Sequence, residues 1–235
     1  MLRTVIFALI AAQVACVARP KTVAPPQAAA RPVVVSTVSV DLPEAAWVST
    51  RLDEVAQFNA LRGAEPLART PLPAGESEVR VYLRSGPRRP MIQIHRGPAG
   101  VRGEMWLWWW YAGGQEHDWT SAELDAWVAC GDRRRHGDWS ACRPQPRAPV
   151  DWAAALGRLE ALRVWSLPDQ SRFTKPSDVD GQLVLVEVRD GPHYRVYHWD
   201  VSMPIEAGPG AGDSSAAIGL WDLVWEIVSA AEHLE

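Results

Sequence analysis

Residues 182–200 read QLVLVEVRDGPHYRVYHWD, and they divide into two strand-forming runs, 182–189 and 193–200. Asp190-Gly191 stands between them, the strongest short hairpin signal in the chain. Pro192, directly after the glycine, leaves the turn type open. A tight hairpin commits its strands to antiparallel pairing, so the sheet that holds this stretch is expected to be antiparallel.

Both flanks of the hairpin read as helices. On the N-terminal side Asp151 can cap a helix over 152–163, with Trp152, Leu156, Leu159 and Leu162 on its inner stripe. On the C-terminal side a glycine-rich loop, 207–212, leads to a last helix capped by Asp213 or Ser214. Ile218, Trp221, Leu223, Trp225 and Val228 make that helix largely apolar, as suits one packed across a sheet.

Further upstream lies a second group of strands. Residues 78–84 alternate, with Val79, Val81 and Leu83 on one face and Arg80, Tyr82 and Arg84 on the other. Residues 91–95 repeat the pattern with Ile92 and Ile94, after a turn marked by Gly86-Pro87 and Pro90. Residues 104–112 are apolar on both faces and end at Gly113-Gly114. Short Gly/Pro turns between three strands favour an antiparallel meander. Before it, Pro43, the helical spacing of Val48, Leu52, Val55 and Phe58, and Gly63 predict a helix over 41–62. Residues 115–149 are charged and broken by glycine and proline. One short helix is expected there at 122–129, behind the capping pair Thr120 and Glu123, within a long surface excursion. The fold expected for 41–235 is a single α+β domain, an antiparallel sheet of about five strands packed with helices that include a C-terminal one.

The N-terminus has a different character. Met1-Leu2-Arg3-Thr4 is a short basic start, and residues 5–12 (VIFALIAA) are an unbroken apolar run too short to span a bilayer as a mature helix. Gln13-Val14-Ala15-Cys16 fits a lipoprotein cleavage site through Val14 and Ala15, giving a signal peptide over 1–15 and a lipid on Cys16. Gln13, where leucine is usual, departs from that pattern, and cleavage after Ala18 is the rival. Residues 16–40 then form a tether rich in proline and alanine, able to extend in part as polyproline II. The address expected is the periplasm, with the protein joined to the outer membrane through the lipid.

Cys130 and Cys142 are the only cysteines left free to pair under either cleavage, since Cys16 is lipidated in one and removed in the other. In an oxidising compartment they are most simply a disulfide pinning the insert, which closes a thirteen-residue loop and contributes about 3 kcal/mol on chain-entropy grounds. A zinc site with His117 or His136 is the alternative, but no CxxC or HxxxH spacing supports it. Loss of residues 1–15 removes Arg3 alone, moving the formal charge from -4 to -5. A mildly acidic surface is a poor match for nucleic acid.

Thirteen tryptophans are far above ordinary usage, and four stand in Met105-Trp106-Leu107-Trp108-Trp109-Trp110-Tyr111. On a strand Trp106, Trp108 and Trp110 share one face. Facing solvent, they would form a stacking platform for sugar rings or peptidoglycan. Covered by helices on one side and the insert on the other, they would be core, which is the favoured expectation.

Other candidates carry weaker signals. His193 and His198 fall on opposite faces of one strand, which argues against joint metal binding. His117-Asp118 and His136-Gly137-Asp138 could pair base with orienter but lack a recognisable nucleophile motif. Glu104 and Glu187 could be glycosidase acids, against a default of pairing with arginine. The loop 208–213 (GPGAGD) before a helix is a flexible connection rather than a phosphate cradle, because it lacks the P-loop lysine and carries an acid.

From residue 151 onward the chain resembles uncharacterised bacterial exported proteins, many with lipoprotein leaders. The resemblance rests on Asp151-Trp152, on 159–169 (LEALRVWSLPD), on 186–191 (VEVRDG) and on 194–197 (YRVY). It implies an envelope setting and an antiparallel hairpin with a closing helix, and it brings no activity and no catalytic residue. The function expected is a non-catalytic binding or scaffolding module without a cofactor, its partners the membrane through the lipid and peptidoglycan, glycan or an envelope protein. An envelope hydrolase acting on glycan is the alternative.

Overall fold

In the computed structural model the described residues are 40–41, 46–85, 88–110, 130–136, 139–144, 149–174 and 181–232. Among these residues eight strands form one sheet: β1 (Val40–Asp41), β2 (Ser77–Arg84), β3 (Arg88–Gly97), β4 (Gly100–Trp110), β5 (Cys130–His136), β6 (Trp139–Pro144), β7 (Leu183–Asp190) and β8 (His193–Asp200). Their order is β1-β8-β7-β2-β3-β4-β6-β5. All neighbours pair antiparallel except β1, a two-residue edge parallel to β8. Among the described residues three α-helices pack with the sheet: α1 (Ala46–Leu61), α2 (Trp152–Ala161) and the C-terminal α3 (Ala211–Glu232). The domain is therefore α+β as expected, with seven antiparallel strands in place of about five.

The two extra antiparallel strands come from the insert. Residues 130–136 and 139–144 are a hairpin laid along β4, in register Leu107↔Cys142 and Trp109↔Ser140, so this part is sheet rather than surface excursion. Arg133, Arg134 and Arg135 hid it by breaking the apolar alternation. They suit a sheet edge, where charge discourages pairing with other chains. Cys130 and Cys142 stand at disulfide distance with Cα atoms 5.7 Å apart, tying the edge strand to its neighbour. The helix expected at 122–129 lies outside the described residues, as do the leader, Cys16 and most of the tether.

Local chemistry accounts for the helix ends. Asp151 Oδ1 accepts from the Ala154 N–H at 2.9 Å, the N-cap foreseen for α2. Gly63 stops α1 at a φ of 71°, with its N–H donating to Ala60 O and that of Ala64 to Asn59 O, the paired bonds of a Schellman end. The last helix begins at Ala211, ahead of the expected caps. Asp213 instead accepts from Arg163 at 2.6 Å, and Ser214 Oγ accepts from the Ile205 N–H at 3.0 Å, so both hold neighbouring loops. At the β7–β8 turn Gly191 has φ 52°. The ring of Pro192 holds its φ negative, so the signs are those of a type II′ turn.

Each sheet face has its own core. Val79, Val81, Leu83, Ile92, Ile94, Leu107, Trp109, Val184, Val186 and Trp199 pack beneath α2 and α3. Trp152 of α2 fills the space where Gly103 of β4 has no side chain. On the other face Val55 and Phe58 of α1 lie with Tyr82, Met91, Trp106, Trp108 and Leu185. All these belong to one unit, 36–235.

Beyond β1 the outer edge of β8 is closed by side chains. The His198 N–H donates to Asp169 Oδ2 at 3.0 Å and the Asp200 N–H to Gln170 Oε1 at 2.6 Å, so the loop after α2 meets two main-chain donors that a further strand would have taken.

Candidate functional site

The face of the sheet under α1 is polar along its middle, which strand alternation alone would assign to solvent. Antiparallel register lines up Glu187↔Arg80 and Arg80↔Gln93, then Gln93↔Glu104, as one row across β7, β2, β3 and β4. The adjoining row is Arg189, Glu78, His95 and Arg102. Glu187, Arg80, Glu78 and Arg189 are all buried. They escape a heavy desolvation cost only by bonding one another and the segment that covers them. Arg80 donates to Glu78 at 2.7 Å and to Glu65 O at 3.0 Å, and Arg189 donates to the carbonyls of Leu67 and Ala68. Glu187 accepts from the hydroxyls of Tyr82 and Tyr194, both at 2.7 Å. Burial, then the Glu187 charge, raises both tyrosines well above the ordinary phenol range, so they stay neutral donors.

Glu104 has a wetter setting. Its carboxylate, one-quarter exposed, meets Arg62 at 2.8 Å and Arg143 at 3.5 Å. Pairing with arginine, the default for this acid, is what the structure has. The glycosidase pairing of Glu104 with Glu187 fails on distance. The two lie in one row three strand spacings apart, about 14 Å, whereas paired glycosidase acids stand no more than about 9.5 Å apart.

The tryptophan strand is largely core. Trp106 and Trp108 are 3% and 2% exposed, which corrects the solvent-facing alternative for these two. The side chain of Trp110 lies outside the described residues. The cause is α1: Phe58 stacks on Trp108 with centroids 5.0 Å apart and meets Trp106 edge-on at 6.4 Å. Trp139 of β6 also stacks on Trp108, at 5.1 Å, and the Arg89 guanidinium sits 4.9 Å over the Trp108 ring.

Trp139 reaches the surface beside this cluster. With Gln57, Ala60 and Leu61 of α1 and His136 of β5 it lines a cavity of about 580 Å³ between the helix and the cysteine-linked hairpin. An indole wall with an amide and an imidazole nearby can bind a ring bearing hydroxyls. Sequence alternation did not single out Trp139, because its position opposite Trp110 depends on a hairpin the charges obscured. A second, more polar cleft of about 230 Å³ lies over β3, β4 and β6, lined by Gln93, His95, Arg102, Gly103, Glu104 and Arg143.

The histidines separate as expected: His193 is exposed and His198 is buried. His198 Nδ1 lies 2.7 Å from Asp169 Oδ2, a contact the sequence did not suggest. Among the described residues no group of three or more His, Cys, Asp or Glu side chains could hold a metal ion. His117 lies outside them. The loop 208–213 leads into α3, and Gly210 abuts the Phe173 ring. No described helix is long and apolar enough to cross a membrane.

These features define an α+β domain with a braced hairpin and two surface clefts beside a buried ionic row. Comparison of the chain with known protein families, curated proteins and solved structures found no match.

Proposed function

We propose that this chain is a non-catalytic binding module of the bacterial cell envelope, exported, lipid-anchored through Cys16, and holding a glycan segment of peptidoglycan between α1 and the β5–β6 hairpin. The observation that carries this reading is Trp139, stacked on the buried Trp108 and lining a cavity of about 580 Å³ beside Gln57 and His136. A cavity of that size is within the range of small-molecule sites. An indole held by a second ring is preorganised and loses little freedom when a sugar ring settles on it. The leader and the proline-rich tether supply the address, and the cysteine pair suits an oxidising compartment. A glycan hydrolase using Glu104 and Glu187 is disfavoured by their separation and by the partners both acids already have.

Retention of the mature chain, made soluble by Cys16→Ser, on purified peptidoglycan sacculi tests the reading. The parent is expected to be retained, and Trp139→Ala and Gln57→Ala are each expected to weaken retention about fivefold or more. Gln57 is exposed, so its variant keeps the test meaningful if loss of Trp139 also weakens the fold. No retention of the parent, or retention unchanged in both variants, would overturn it.

A further inference from the structure

The polar cleft over β3, β4 and β6 shares no described lining residue with the Trp139 cavity, and its chemistry differs. Arg143 is half-exposed and reaches Glu104 only at 3.5 Å, a loose contact. Arg102, directly across from His95 in the sheet, is exposed. His95, also at the cleft, leans toward β2, its ring nitrogens 3.1 Å from Glu76 and 3.5 Å from Glu78. Two guanidinium groups therefore stand at the cleft with capacity to bind an anion.

Beneath them is an unmet acceptor. Gln93 Oε1 is buried and has no hydrogen-bond partner among the described residues. Such a group carries a desolvation cost that a bound donor would relieve. Gln93 itself lines the cleft, and its terminal amide turns about a soft torsion. Beside it in the row is Glu104, whose oxygens are shared with Arg62 and Arg143. A ligand complementary to this arrangement carries an anion at one end and a charged donor at the other.

We propose that this cleft is a second site, for a small zwitterion such as a free amino acid or a peptide end bearing both charges. Its carboxylate is held by Arg102 and Arg143, and its ammonium meets Gln93 Oε1 and Glu104. A space of about 230 Å³ admits one residue rather than a chain. The proposal does not depend on glycan binding at Trp139.

Isothermal titration calorimetry of the soluble mature chain with alanine, each enantiomer separately, with acetate and with methylammonium tests it. At least one alanine enantiomer is expected to give saturable heat, with acetate and methylammonium each at least about tenfold weaker. Arg102→Ala and Arg143→Ala, both exposed positions, are each expected to weaken alanine binding about tenfold with no change in Tm. Trp139→Ala is expected to leave it unchanged, which separates this result from that of the sacculus experiment. Three outcomes would overturn the proposal: no saturable heat with either enantiomer, acetate binding as tightly as alanine, or unchanged affinity in the Arg102→Ala/Arg143→Ala double variant.

Discussion

Glu187→Ala is expected to lower stability to urea by about 3–5 kcal/mol, the range for breaking a buried charged cluster from one side. The carboxylate is 4% exposed and accepts from two tyrosine hydroxyls at 2.7 Å. Truncation leaves the Tyr194 hydroxyl without its acceptor, the Tyr82 hydroxyl with only the long 3.4 Å contact to Asn59 Oδ1, and the Arg80 guanidinium, whose high pKa depends in part on Glu187, with one fewer compensating charge. Tyr82→Phe and Tyr194→Phe each remove one donor while the carboxylate keeps the other, so each is expected to cost less, about 1–3 kcal/mol. The ordering matters more than the sizes. A loss for Glu187→Ala no greater than for either tyrosine variant would show that the acid does not organise the row.

Asp169→Ala is expected to be comparably costly at neutral pH, about 3–5 kcal/mol, and to change how stability varies with acid. Asp169 contacts His198 Nδ1 at 2.7 Å, accepts from the His198 N–H on the sheet edge and accepts from the Ser171 N–H at 2.9 Å. Burial alone would raise its pKa, but the bonds and charge from His198 and the bonds from Ser171 outweigh it and hold the carboxyl below its ordinary range. The folded pKa thus lies beneath the unfolded one. Its contribution is complete above the unfolded value, about pH 4, and is lost as pH falls through the folded value. Urea midpoints measured from pH 7 to pH 2 are expected to fall less steeply below pH 4 for Asp169→Ala than for the parent. Parallel acid limbs would contradict the assignment.

Much of the frame was legible because it is local. Val79, Val81 and Leu83 alternate with polar neighbours, Asp151 stands before a helical stripe, and Gly191 follows Asp190 between two β-rich runs. In each case the signal and its structural partner lie within a few residues. The β5–β6 hairpin was hidden because Arg133–Arg135 suit an edge strand, and that edge exists only once β4 has folded beside it. The ionic row was hidden for a related reason. Arg80 and Glu187 look like a solvated face, and what buries them, α1 and the segment 65–70, is separated in sequence from much of what it covers. Tyr82 and Glu187 are 105 positions apart. Alternation shows which residues share a face and not what will lie over it.

The tryptophans make the same point from the other direction. Their number marked 105–111 for attention, and the face they share follows from strand geometry. Which indole reaches the surface depends on Phe58 covering Trp108 and on β6 carrying Trp139 to the rim. The ligand surface proposed here accordingly moves from Trp106 and Trp108 to Trp139.

An envelope address underlies the choice of peptidoglycan as ligand and the oxidised state proposed for Cys130 and Cys142. Intact mass of the chain recovered from bacterial membranes tests that address most directly. The account predicts a chain that begins at Cys16 and carries a diacylglyceryl group. An unmodified chain beginning at Arg19 would contradict the anchor, and one beginning at Met1 would contradict export itself.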